Sequence, residues 1–319
     1  MKRLVIAVAL LWWCAAQAQD YPSKPIRVLV PFAPGGAVDT TARVLAQAMQ
    51  QRVNWQFVVE NRPGGNGFIA TTAVAKAPAD GYTLLMAHTG EFAVNPALFD
   101  NVPYELERDF APITMVSDAP MLYLAKAQAP FNNFRELVAA AKAKPGTITF
   151  GSAGNGSINH LAGEWLAQAA GIQLVHVPYK GGAPAAAAVA AGDVDFGVMA
   201  VPGAMPHMKS GRGKVIGIST AKKSPLDASW ATPRDAGIPD LDASIWVGLL
   251  APKGTPQPII DRINKEVRQT LSLPDVQKRF VESGGAEAIG MTPAEFLARI
   301  KSDAERYKRV VQKAGVKPG

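Results

Sequence analysis

Short apolar runs alternate with stretches of helical periodicity along most of the chain. Apolar residues that recur every three or four positions, as in 38–52 and 158–170, predict helices with one face in a core. Runs of four to seven mainly apolar residues between such stretches predict strands. This alternation is typical of parallel sheets covered by helices. The predicted strands are 26–32, 57–60, 82–87, 121–125, 148–151, 175–178, 194–199, 215–219 and 247–251.

The last part of the chain has a different pattern. From Pro256 onward the periodicity predicts three helices and no strand. The second of these opens at Pro274, and the third at Pro293. Thr292 is predicted to be the N-cap of the third helix, with Glu295 as its capping-box partner. We expect this helical tail to pack back onto the first part of the chain.

The N-terminus is predicted to be a secretory signal peptide over 1–18. A basic start is followed by an apolar run at 4–13 and by small residues ending at Ala18. The apolar run is shorter than the roughly 20 residues that span a bilayer. Cleavage after Ala18 removes Cys14, the single cysteine; the alternative, acylation of Cys14, is disfavoured by the bulky Trp13 before it. We therefore expect a periplasmic protein.

Composition limits the classes of partner. A chain of 319 residues with 48% hydrophobic and 18% charged residues favours a globular protein of two domains. Without the signal peptide, 31 basic residues stand against 26 acidic ones, a net charge of +5. These basic residues are scattered rather than arranged in a stripe, so no nucleic-acid partner is predicted. No motif indicates a cofactor or a metal, and neither is expected.

Three glycine-rich loops connect a predicted strand to a predicted helix, at 31–36, 151–157 and 178–184. In open α/β sheets, ligands bind at the carboxyl ends of the strands, where these loops lie. Glycine lets backbone N–H groups approach a ligand, and the start of a helix adds free donors and a partial positive charge. The loops therefore predict a site for an anion such as a carboxylate or a phosphate.

No catalytic motif accompanies these loops, and an enzyme is not predicted. Only Asp39, Ser157 and His160 lie near enough to the loops to act as a base or nucleophile. His160 either faces the cleft or is a structural histidine, and Asp39 also suits the dipole of its helix. Lys180 either neutralises a bound anion or is a solvated loop lysine.

Six segments, in this order, resemble the Bug family, the periplasmic receptors of tripartite tricarboxylate transporters. They are YPSKPIRVLVPFAPGGAVDTTAR, VVENRPGGNG, APADGYTLLMA, FGSAGNGS, VHVPYKGGAPA and GLLAP. The resemblance implies an α/β two-lobe periplasmic-binding-protein fold, type II-like, with the ligand in a cleft between the lobes. It also implies that lobe one is 19–121 plus 246–319, that lobe two is 122–245, and that two crossings form a hinge.

The resemblance further implies that backbone groups hold a ligand carboxylate, partly through water. The predicted ligand-binding residues come from the three loops, from the segment after the third strand and from the end of the strand at 194–199. They are Phe32, Ala33, Pro34, Gly35, Gly36 and Asp39; Thr89, Gly90, Glu91 and Asn95; Ser152, Ala153, Gly154, Asn155, Gly156, Ser157 and His160; Tyr179, Lys180, Gly181 and Gly182; and Ala200 and Val201.

The chain departs from the family pattern in two places. Ala200 and Val201 stand where many members carry an Asp-Asn pair, and His88, Glu91 and Phe92 interrupt a segment that is often rich in small hydroxyl residues. If these side chains face the cleft, the ligand is expected to differ from the acidic amino acids that better-known members of the family bind. Glu91 either enters the pocket, where it favours an amine over a second carboxylate, or is a solvated loop carboxylate.

The expected function is capture of a small organic acid or amino acid by a monomeric receptor that interacts with membrane transporter subunits. One alternative is a ligand sensor that signals to a membrane kinase of a two-component system. A more remote alternative is a secreted hydrolase.

Overall fold

The structure, a computed structural model, describes residues 21–238 and 241–316, so the predicted signal peptide lies outside the described residues. The strands are β1 Ile26–Val30, β2 Phe57–Asn61, β3 Thr83–His88, β4 Phe110–Lys126, β5 Thr149–Ser152, β6 Val175–Pro178, β7 Phe196–Ala200, β8 Gly213–Ile218, β9 Ser244–Pro252 and β10 Glu287–Ala288. The α-helices are α1 Ala37–Val53, α2 Phe68–Ala75, α3 Asn95–Leu98, α4 Leu106–Asp109, α5 Phe134–Ala143, α6 Ile158–Ala170, α7 Gly182–Ala191, α8 Val201–Lys209, α9 Gln257–Leu271, α10 Pro274–Gly284 and α11 Pro293–Ala314.

Two mixed sheets share the long strand β4. The first sheet has the order β2-β1-β3-β9-β4, with β10 also paired to β4. The second has the order β8-β4-β7-β5-β6. The β4 residues up to Pro120 pair with β9, and those from Met121 onward pair with β7 and β8. Each sheet with its helices forms one lobe of an α/β two-lobe fold.

The strands that carry the glycine-rich loops are parallel, as predicted. β1 pairs in parallel with β2 and β3, and β5 with β6 and β7. β4 pairs antiparallel with β7, β8, β9 and β10, and β9 antiparallel with β3, so the sheets are mixed. Because parallel strands end at the same edge, the loops after β1 and β3 lie together, and so do those after β5 and β6.

Two sequence predictions are corrected here. The strand predicted at 121–125 is only the end of the 17-residue β4. Its first part contains Pro112 and Pro120 and has two shifts of register against β9, so it lacks the regular pattern of a strand. The tail predicted to be free of strands contains the two-residue β10. That strand forms by pairing with Ser117 and Asp118 of β4, which a local pattern does not encode.

The C-terminal helices pack on the first sheet, as expected. The capping box is confirmed: Thr292 N–H donates to Glu295 Oε2 at 2.8 Å, and Glu295 N–H donates to Thr292 Oγ1 at 3.3 Å. Farther along α11, Asp303 accepts a hydrogen bond from the Trp246 indole of β9 at 3.0 Å. The tail therefore belongs to the core of the first sheet rather than to a separate unit.

Ser219 ties together the two places where the chain crosses between the sheets. It lies just after β8 and is fully buried. Its Oγ accepts the Met121 N–H of β4 at 2.8 Å and donates to the carbonyl of Ala243, just before β9. In the part of the chain that the structure describes, no helix is long and apolar enough to cross a membrane.

Candidate ligand-binding site

The first loop leaves the start of α1 open. Phe32 is half-buried, while Ala33, Pro34, Gly35 and Gly36 are exposed. Gly36 is the N-cap of α1, in an extended conformation with φ of −80°, and no side chain caps this helix end. The first N–H groups of a helix have no intrahelical acceptor. Together with the helix dipole, they make this end a place where an anion is stabilised.

The buried Asp39 side chain holds the first loop in position through a hydrogen bond to its backbone. Its carboxylate is buried and accepts the Gly35 N–H at 2.9 Å, the Arg43 guanidinium at 3.0 Å and the Asn61 amide at 2.9 Å. Burial alone would raise the pKa of Asp39, but these hydrogen bonds and the charge of Arg43 lower it below its ordinary value. Asp39 is thus an ionised group inside the loop, and the Gly35 N–H is already bonded to it.

The second loop is a tight turn that ends in a capped helix. Ser157 caps α6 by accepting the His160 N–H at 3.2 Å, and it donates from its hydroxyl to Gly154 O at 2.7 Å. Gly154 has φ of +131°, which residues with a side chain rarely adopt. Ala153 is half-buried and Asn155 is exposed. The exposed position of this loop is therefore Asn155, between two glycines.

The third loop lies against the second. Tyr179 N–H donates to Ser152 O at 3.1 Å, and a Cβ placed on Gly154 would lie 3.3 Å from Tyr179 O. Gly181 is the N-cap of α7, again without a capping side chain, and Lys180 is exposed beside it. A Cβ added to Gly203 of α8 would lie 3.7 Å from the backbone of Gly182. The start of α8, next to Ala200, therefore lies beside the third loop.

Two polar residues after β3 have their side chains inside the protein. Thr89 is fully buried; its hydroxyl donates to Ser244 O at 3.2 Å and accepts the Trp246 N–H at 3.0 Å. Asn95 is buried and donates to Asn66 O at 2.9 Å. These hydrogen bonds hold the segment after β3 against its neighbours. At the junction of β3 and this segment, His88 and Gly90 are half-buried.

Glu91 is fully buried, so its interpretation as a solvated loop carboxylate is wrong. Its Oε2 accepts the His88 N–H at 2.7 Å and lies 2.7 Å from His88 Nδ1. The His88 ring also packs on Phe32 of the first loop, with 4.5 Å between the ring centroids. His88, which was not among the predicted ligand-binding residues, is therefore the side chain that connects the two loops of the first lobe.

Two of the contacts between the lobes involve predicted ligand-binding residues. A Cβ on Gly156 of the second loop would come 2.0 Å from Leu98 of α3, so glycine allows this helix to approach. Val201, at the start of α8, is fully buried; a Cβ on Gly285 would lie 2.7 Å from it. Val201 therefore contacts the end of α10 in the other lobe, while Ala200 is half-buried.

His176, which sequence reasoning missed, lies directly under the second loop. The rings of His160 and His176 stack with 3.6 Å between centroids and 11° between planes. The parallel register of β5 and β6 sets Phe150 opposite His176 and brings Ser152 Oγ to 2.6 Å from His176 Nε2. The position of His176 in β6, just before the third loop, is the only sequence signal that could have found it.

Burial lowers the pKa of His176 to about 4, and the neighbouring His160 adds to this effect while Glu164 opposes it. His176 is therefore neutral at pH 7. Among the residues that the structure describes, no group of three or more His, Cys, Asp or Glu side chains is placed to hold a metal ion. The candidate site offers backbone donors, the neutral His176 imidazole and the ionised, hydrogen-bonded Asp39 carboxylate.

The fold and this arrangement define a class, the periplasmic solute-binding proteins of two lobes. The chain is similar to the periplasmic binding protein BugD, at 35% identity and a TM-score of 0.82, over 93% of this chain and 99% of BugD. It is similar to Rpa4515 of R. palustris in a structure with adipate, at 30% identity and a TM-score of 0.88, over 94% and 100% of the chains. It is also similar to MatC of Rhodopseudomonas palustris with bound malate, at 30% identity and a TM-score of 0.80, over 91% and 100%.

Within that class, the profile of the tripartite tricarboxylate transporter family receptors matches residues 41–316. The chain belongs to this family of periplasmic solute-binding receptors, and the resemblance to Bug proteins is confirmed.

Proposed function

We propose that this receptor captures a small organic acid by its carboxylate in the cleft between the lobes and delivers it to the membrane subunits of a tripartite tricarboxylate-type uptake system. The observation that carries the proposal is the exposed, uncapped start of α1 at Gly36, held in shape by the buried Asp39. The second and third loops supply a further backbone face from the other lobe.

Backbone donors that are fixed by the fold favour a charged acceptor. Hydrogen bonds to a charged group contribute about 1.5–3 kcal/mol each, against about 1 kcal/mol for neutral pairs. Donors that are already ordered lose little entropy when the ligand binds. The adipate and malate in the two similar structures make dicarboxylates the first compounds to test.

For the lobes, we propose the boundaries 19–121 plus 246–319 and 122–245, with export to the periplasm by the signal peptide at 1–18. The exchange of sheets by β4 between Pro120 and Met121 supports the first boundary. The pairing of β9 with the first sheet from Ser244 onward supports the second. Ser219 connects both crossings and is the centre of the proposed hinge.

A thermal-shift screen of mono- and dicarboxylates, beginning with malate and adipate, tests the ligand class. A compound at 100 times its dissociation constant adds about 2.7 kcal/mol to the stability of the folded protein. The methyl ester or amide of the best compound should bind at least about tenfold more weakly, or 1.4 kcal/mol. The compound should also be recovered chemically unchanged. The proposal fails if ester and acid bind equally well, or if only neutral solutes stabilise the protein.

A further inference from the structure

We propose that His160 and His176 are positioning residues of the ligand site. The stacked imidazoles hold the backbone of the second loop in the shape that receives a carboxylate. The part that concerns the ligand rests on the proposed function, whereas the part that concerns the loop does not.

His160 holds the C-terminal end of the loop. Its Nδ1 accepts the Gly156 N–H at 3.1 Å, and its own backbone N–H is bonded to Ser157 Oγ. An imidazole that accepts at Nδ1 carries its proton at Nε2. That nitrogen lies 3.6 Å from the Glu164 carboxylate one turn later in α6, which favours this tautomer. The ring is 7% exposed, so this bond is shielded from water.

His176 holds the N-terminal end of the loop. Its Nε2 lies 2.6 Å from Ser152 Oγ, and the same hydroxyl oxygen accepts the Gly154 N–H at 3.1 Å. The two rings stack face to face, so each fixes the position of the other. The turn from Ser152 to Ser157 is thus attached at both ends to a single pair of imidazoles.

The groups packed around the two rings are mostly neutral. Glu164, on α6, lies 3.6 Å from His160 Nε2, whereas Phe150 and Ser152 of β5 and Phe196 of β7 carry no charge. Helix α11 contacts α6 at Trp165, because the α11 side chains Tyr307 and Arg306 pack on the Trp165 indole.

The pKa of His176 determines whether stability rises or falls with pH. Its pKa in the folded protein, about 4, lies below the ordinary value of 6.5. Between these values the unfolded chain binds a proton that the folded chain does not, so stability decreases as the pH falls from about 6.5 to 4. Acid therefore opposes the folded state through His176.

Two substitutions at His160 distinguish a role in positioning the second loop from a role in packing alone. In His160→Asn, the side-chain oxygen replaces Nδ1 and accepts from Gly156 without titrating. In His160→Gln, the amide reaches the position of Nε2 and leaves Gly156 without its acceptor. Hydrogen exchange of the Gly156 amide, measured by NMR without ligand, should be at least about tenfold faster in the Gln variant than in the Asn variant. His207→Asn, in the last turn of α8, is the control and should resemble the wild type.

The pH profile gives the second measurement. In denaturant unfolding, the stability of the wild type should decrease between about pH 6.5 and pH 4, and this decrease should be smaller in His176→Asn.

The proposal is overturned if the Gly156 amide exchanges equally in the Asn and Gln variants. If the amide responds as expected but no carboxylate binds the wild type, the positioning of the loop stands and the proposed ligand class fails.

Discussion

Two buried carboxylates, Asp39 and Glu91, lie behind the loops of the first lobe. A charge removed from water is costly unless it is paired and hydrogen-bonded. Asp39 meets this condition through Arg43, Asn61 and the Gly35 N–H. Glu91 meets it only in part: its Oε2 accepts the His88 N–H, while its buried Oε1 has no hydrogen-bond partner among the described residues. Each carboxylate therefore fixes the conformation of the backbone beside it. Because both side chains are buried, neither carboxylate forms part of the exposed surface of these loops.

At the scale of single residues, Gly36→Val tests whether the start of α1 receives the ligand. The nearest atom to a Cβ on Gly36 is Ala33 O at 3.8 Å, and the φ of −80° suits valine, so the protein should fold. Stability should change by about 1 kcal/mol or less. The methyl groups would fill the space in front of the free N–H groups, and carboxylate affinity should fall at least about tenfold in calorimetry.

The matched control is Ala191→Val, at the exposed end of α7. It introduces the same side chain roughly 14 Å along the helix from the third loop and should leave affinity unchanged. Equal affinity of Gly36→Val and the control would show that the ligand does not contact the start of α1.

At the scale of elements, the two crossings between the sheets meet at Ser219. Strand β4 pairs with β9 before the exchange and with β7 and β8 after it, so the chain is continuous through this crossing. The other crossing returns from β8 to β9, where Ala243 N–H donates to Ser219 O at 2.8 Å. Because both crossings meet at Ser219, motion of one lobe against the other is expected to bend the chain here.

Ser219→Ala should destabilise the protein by about 1–3 kcal/mol, because the buried Met121 N–H and Ala243 carbonyl both lose their partner. Denaturant unfolding monitored by Trp fluorescence measures this, with the exposed Ser229→Ala as control. Stability equal to that of the control would indicate that the crossings do not depend on this hydroxyl.

At the scale of the whole molecule, the proposed site is divided between the lobes. In this proposal the first lobe contributes the start of α1 and His88, and the second lobe contributes the loops around Gly154 and Gly181. Contacts such as Leu98 with Gly156 bring the two faces together. A ligand that touches both faces stabilises the arrangement in which they are closest.

Small-angle scattering with and without the best carboxylate tests this closure. The radius of gyration should decrease on saturation, and the decrease should be absent in Gly36→Val at the same ligand concentration. A radius that is unchanged at saturation in the wild type would contradict closure of the lobes around the ligand.

The sequence determined the features that depend on neighbouring residues. Helical periodicity, the capping box at Thr292 and the glycine-rich ends of β1, β5 and β6 all have local causes: side-chain spacing, hydrogen bonds within one turn, and backbone freedom. These features, with the order of motifs along the chain, were enough to predict the α/β two-lobe class and the loops of the candidate site.

Only the tertiary structure decided which distant residues meet. The passage of β4 between sheets, the burial of Glu91 against His88 and the stack of His160 on His176 each depend on strand register or on packing between elements. A polar residue has the same local sequence signal whether it faces water or a partner. Its environment is set by free energies of burial and pairing that involve residues far away in the chain.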